Sequence, residues 1–169
     1  MDLFTIKEIA QSPIKKICIL GDCKGSRAVH SFARIMRKVW PNIEIVYVCP
    51  KGTEPPEVIK GPTDSVLTNF DELDLKDVNI VYVVRSQKER HTQEIVGDYP
   101  VLTSDLLKTA SKHLIILHPL PRRSELPTDV DSDKRAAYFK QARNCLPVRT
   151  AICELVLARL DILRKSNIS

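Results

Sequence analysis

The tightest constraint on this chain is the stretch 114–123, Leu-Ile-Ile-Leu-His-Pro-Leu-Pro-Arg-Arg. Its four leading aliphatics make a run of strand length, and Pro119 and Pro121 forbid its continuation, because proline has no amide to give to a ladder. A rigid loop therefore begins at His118 and fixes Arg122 and Arg123 just beyond the carboxyl end of a strand. Open α/β sheets take their ligands at that end. The rest of the chain then reads as scaffold for an anion-recognition site.

The other segments agree with such a sheet. Residues 2–10 carry apolar side chains at helical spacing, and Ser12-Pro13 ends them. Strand-like runs follow at 14–20, 43–49 and 79–84, with a shorter one at 66–68. Between the first two lies a helix over 28–39, stopped by Pro41. Residues 50–68 are rich in breakers, with one turn of helix at 57–60, and Asn69 caps a turn over 70–75. A polar, helix-compatible segment spans 87–96, and Thr103 or Ser104 caps a helix over 105–112. A loop over 124–132 leads to a short helix around 133–139, and a last helix over 149–164 has Ile152, Leu155, Val156, Leu160 and Leu163 on one face. Strands alternating with helices imply an α/β three-layer sandwich, Rossmann-like, with a parallel sheet of four or five strands. The length, 169 residues, fits a single domain.

Charge excludes some partners. Nearly all of the net +5 collects after Leu120, where 10 basic residues face 6 acidic ones. Nucleic acid would account for the excess, but the four Tyr, four Phe and one Trp are too scattered to make a stacking platform. A basic solvated face is the simpler account. No apolar run reaches membrane-spanning length, and the start lacks the basic-then-apolar order of a secretory signal, so a cytoplasmic address is expected. Cys18, Cys23, Cys49, Cys145 and Cys153 show no C-x-x-C pair and imply neither a disulfide framework nor a metal site.

Three strand ends are followed by cation-bearing loops: 21–27, Gly-Asp-Cys-Lys-Gly-Ser-Arg; 85–90, Arg-Ser-Gln-Lys-Glu-Arg; and 118–123. In a parallel sheet these share one rim, so several guanidinium groups converge there. Each planar fork bonds a carboxylate or phosphate through two donors, and several together suit a ligand with more than one acidic group. A dinucleotide site is disfavoured, because 21–25 lacks the G-x-G-x-x-G spacing, and no Walker-type loop occurs. His118 reads either as an acid or base or as a histidine bonded to backbone in its loop. His91 and His113 have no evident partner in the sequence.

The motifs at 21–31 (Gly-Asp-x-Lys-x-x-Arg-x-Val-His-Ser), 85–90, 118–122 (His-Pro-Leu-Pro-Arg) and 129–142 (Asp-Val-Asp, then Ala-x-Tyr-Phe-x-Gln-Ala) resemble the second half of the aspartate carbamoyltransferases, in register over nearly the whole chain. His-Pro-Leu-Pro favours the aspartate over the ornithine enzymes. By this resemblance Arg27, Arg85 and Gln87 hold the carboxylates and amino group of aspartate. Pro119 and Leu120 offer backbone carbonyls to the substrates, and Glu89, Arg90 and Arg122 orient the site. No cofactor or metal is implied. The family's Ser-Thr-Arg-Thr and His-Pro-Thr-Gln runs, which serve the phosphate donor, do not occur here. The expectation is an aspartate-binding domain without a carbamoyl-phosphate-binding domain, inactive alone and monomeric when isolated, being either an excised fragment or a half that works with a separately encoded complementing chain. Aspartate or another dicarboxylate is its expected ligand. A non-catalytic sensing or interaction module of the same fold is the alternative. Gly25 stands where an aromatic is common, Ala28 where threonine is and Lys134 where proline is, and the loop 91–99 is short.

Overall fold

The computed structural model of the chain describes residues 1–91 and 95–166, without the side chains of Lys88 and residues 161–166. Five strands, β1 (Lys16–Leu20), β2 (Glu44–Val48), β3 (Ser65–Leu67), β4 (Ile80–Val83) and β5 (Ile115–Leu117), form one sheet in the order β3-β2-β1-β4-β5. Every pairing is parallel. The order reverses between β1 and β4, which makes their shared carboxyl end the crevice where such sheets place ligands.

Strand residues feed two cores alternately, because successive side chains leave opposite faces. Ile17, Ile19, Tyr47 and Tyr82 pack on one side with Ile6 of α1 (Asp2–Ile9) and Val29, Phe32 and Met36 of α2 (Arg27–Val39). Phe32 stacks on Tyr82 with centroids 4.0 Å apart. Cys18, Leu20, Val81 and Val83 enter the other core with Leu107 of α3 (Ser104–Leu107), Val130 and Tyr138. Gly21, φ +120°, turns the chain out of β1, and a Cβ there would lie 2.1 Å from the Val84 carbonyl oxygen. Only glycine fits so close an approach.

Four expected helices differ from the observed ones. The helix expected over 105–112 stops at Leu107, where the Arg135 guanidinium donates to the carbonyls of Leu107, Ala110 and Ser111 at 2.9–3.3 Å. The helix expected around 133–139 is displaced to α4 (Tyr138–Arg143), with a 3-10 turn at Thr128–Ser132 before it. Between them the chain bends and turns over 133–135, and an isolated parallel bridge ties Ala136 to Ile116. The segment over 87–96 forms one 3-10 turn, Lys88–Arg90, and 92–94 lie outside the described residues. The last helix, α5 (Cys145–Ser166), starts earlier than expected and accommodates Pro147 in its first turn, where its missing amide is not needed. Its Ile152, Leu155, Val156 and Leu160 are exposed, and Leu163 lies outside the described side chains.

Candidate functional site

Residues that leave β1, β4 and β5 line a pocket of about 300 Å³ at the switch point. Arg27 and Ala28 come from the first turn of α2, Arg85, Gln87 and Arg90 from the loop after β4, and His118, Pro119 and Leu120 from the loop after β5. Six of the eight site residues read from the sequence therefore share one cavity.

The first loop is short because Ser26 caps α2, accepting the Val29 amide at 3.4 Å. Arg27 thus begins a helix, is exposed and, among the described residues, makes no ion pair. Arg85 is oriented by its neighbours: its guanidinium donates to the Ser86 carbonyl at 2.9 Å and to Glu89 at 2.8 Å. The bond from Arg85 is also the main cause that holds the Glu89 carboxyl below its ordinary range. Glu89 lies outside the pocket wall and acts on it through Arg85. Arg90 reaches back across the crevice to the Gly25 carbonyl at 2.9 Å.

The loop after β5 is shaped by His118, which is buried. Its backbone N–H donates to Gln141 Oε1 at 2.9 Å, and its Nδ1 accepts the Leu120 N–H at 2.8 Å. The ring proton therefore sits on Nε2, 2.9 Å from Glu125 Oε1. Burial pushes the Glu125 carboxyl up, but hydrogen bonds from His118 and the Arg123 amide outweigh it and leave its pKa lowered. With both ring nitrogens engaged, His118 serves as the keystone of its loop, which settles the two open readings of it in favour of structure. Leu120, φ 52°, occupies the left-handed region that side chains avoid, and the bond to His118 helps to hold it there.

Arg122 and Arg123 depart from the opening expectation. Arg122 turns away from the pocket and makes a two-pronged pair with Asp131, while its guanidinium carbon sits 5.6 Å over the Tyr138 ring. Arg123 is exposed and contributes its backbone amide to Glu125. Among the described residues the pocket's cations are Arg27, Arg85 and Arg90, so two of the three loops supply them and the third supplies backbone and shape.

Asp22 was not singled out by the sequence as a site residue. Its carboxylate, wholly buried, accepts the Gly25 amide at 2.7 Å and the Gln87 amide at 3.1 Å, so one side chain fixes the loops that carry Arg27 and Arg85. The available signal was an acid directly after a strand-ending glycine.

The sequence model of the aspartate/ornithine carbamoyltransferase Asp/Orn binding domain matches residues 14–156. The aspartate carbamoyltransferase catalytic subunit of Methanococcus vannielii is 37% identical over 164 residues, 92% of this chain and 53% of that protein. The multifunctional protein pyr1-3 of Dictyostelium discoideum is 38% identical over 167 residues, 92% of this chain and 7% of that one. The catalytic subunit of M. jannaschii aspartate transcarbamoylase superposes with a TM-score of 0.74 at 33% identity, over 90% of this chain and 53% of that one. The Trypanosoma cruzi aspartate transcarbamoylase in complex with N-(phosphonacetyl)-L-aspartic acid gives 0.68 at 27% identity, over 84% and 47%. The chain spans about half the length of the aspartate carbamoyltransferase subunits that it matches. With the Rossmann-like sheet, the three-loop pocket and these similarities together, the chain belongs to the aspartate/ornithine carbamoyltransferase family, through its Asp/Orn binding domain.

Proposed function

We propose that this chain is the aspartate-binding half of an aspartate carbamoyltransferase, which transfers a carbamoyl group from carbamoyl phosphate to L-aspartate in pyrimidine biosynthesis. The observation that carries this reading is the meeting of Arg27, Arg85 and Gln87, from loops some sixty residues apart, in one pocket beside Pro119 and Leu120. Two guanidinium forks suit the two carboxylates of aspartate, and the Gln87 side chain and the β5 loop suit its amino group.

The pocket holds cations for a diacid, and among the described residues that line it none is free to act as a general base, since His118 is committed at both nitrogens. On this reading the chain binds and orients the amine, and a carbamoyl-phosphate-binding domain supplies the groups for phosphate and the developing oxyanion. The exposed apolar residues of α5, Ile152, Leu155, Val156 and Leu160, favour a partner surface, and a separate complementing chain or a preceding domain would serve equally. We place the protein in the cytoplasm and expect a monomer in isolation.

Titration calorimetry of the purified chain with succinate tests the binding, and a coupled assay with carbamoyl phosphate and aspartate tests the division of labour. The expected outcome is that succinate binds and no carbamoyl-aspartate forms. Turnover without a partner would refute the half-site reading. Absence of any dicarboxylate binding would favour the non-catalytic module.

A further inference from the structure

His91, without a partner in the sequence, meets the buried carboxylate that ties the pocket together. Its Nε2 lies 2.6 Å from Asp22 Oδ2, and the two side chains are 6% and 0% exposed. A carboxylate only accepts, so the ring donates from Nε2. Asp22 thereby collects the His91 ring, the Gly25 amide on Oδ1 and the Gln87 amide on Oδ2, and the Tyr99 hydroxyl stands 3.5 Å away. The Gly25 carbonyl in turn accepts from Arg90, which closes a ring of bonds between the two cation-bearing loops.

We propose that His91 is a positioning residue of the dicarboxylate pocket and acts through Asp22. Gly25 lies two residues before Arg27, and Gln87 two after Arg85, so the orientation of one carboxylate sets the separation of the two guanidinium groups. Without the ring, a buried charge keeps two amide donors and loses its shortest bond. It then rotates or draws in water, and both amides follow. Gly25 packs against the same pair: a Cβ there would lie 3.1 Å from both Asp22 oxygens and from His91 Nε2, close enough that the pair would have to shift by a few tenths of an ångström.

The binding arm of the test rests on the dicarboxylate reading, while a second arm does not. His91→Phe keeps the ring's bulk without a donor, and His91→Gln restores an amide donor near Nε2. In the full chain, H91F should weaken succinate binding about tenfold, and H91Q should remain within about threefold of the parent. In the ligand-free protein, the Gly25 and Gln87 amide resonances should shift in H91F and hold in H91Q, while those of core strand residues such as Ile17 stay in place. Unchanged amide resonances and unchanged affinity in H91F would overturn the proposal, as would equal losses in H91F and H91Q. If the parent binds no succinate, the dicarboxylate reading fails by itself and the amide resonances alone decide. Should H91F not fold, His91→Asn, whose shorter amide stops short of Asp22, replaces it against H91Q.

Discussion

Glu125 accepts the His118 ring N–H at 2.9 Å and the Arg123 amide at 2.8 Å, so one buried carboxylate fixes the loop that carries Pro119 and Leu120. Its folded pKa lies below the ordinary value despite burial. Its stabilisation is then present above the unfolded carboxylate pKa, about 4.3, and is lost as pH falls through the folded value. Glu125→Gln should cost about 1–3 kcal/mol at neutral pH, and the gap to the parent should narrow in acid. Urea unfolding between about pH 7 and 3 measures both.

Asp131 gives a second acid signature. The Arg122 guanidinium, and after it the Tyr138 hydroxyl, hold the Asp131 carboxyl at about 2. Stability from this group is in place above its unfolded pKa, about 3.9, and drains away as pH falls from there toward its folded value. Thermal unfolding of Asp131→Asn should therefore show a flatter acid limb than the parent, with the two curves parallel above about pH 5.

Gly21→Ala should be among the most damaging single changes outside the pocket. The added carbon meets the Val84 carbonyl oxygen at 2.1 Å, in a backbone conformation that L residues disfavour. A loss of about 3 kcal/mol or more, read from the urea midpoint, is expected, because β1 and β4 must part to accommodate it.

The two classes of arginine separate by what they touch. Arg27→Ala and Arg85→Ala should each weaken succinate at least about thirtyfold, the loss of one charged fork, with melting temperature nearly unchanged. Arg122→Ala should do the reverse: it releases Asp131 and uncovers the Tyr138 ring, so melting falls by about 3 °C or more while affinity changes less than about threefold. Calorimetry and thermal melts on the three variants make the comparison.

Leu155 is 72% exposed and Ile152 54%. Replacing both with Gln should leave the melting temperature within about 2 °C, since little burial is lost, yet lower the binding of a fluorescent apolar dye. A large drop in stability would show that this face packs within the chain.

The sheet was legible because strand-length aliphatic runs between breakers admit few alternatives, and the parallel order followed from the helices between them. The pocket was legible in outline, since Arg27, Arg85, Gln87, Arg90, Pro119 and Leu120 follow strand ends that one rim must hold together. What escaped was decided by tertiary bonds. Arg135 ends α3 from a distance of 28 residues by taking the Leu107 carbonyl, and no local propensity encodes that. Arg122 reads as a site-orienting residue because its loop begins at the rim, yet its guanidinium pairs with Asp131, nine residues on. Asp22 and His91 meet across 69 residues, too far apart for spacing to reveal.

Asp22 has one further consequence. It grips an amide 65 residues downstream, and Arg90 returns the grip over the same span, so neither half of the clamp exists until β1 and β4 have docked. Occupancy of the pocket is then a late event in assembly, and whatever binds there draws on the whole fold by mass action, slowing the escape of every strand at once.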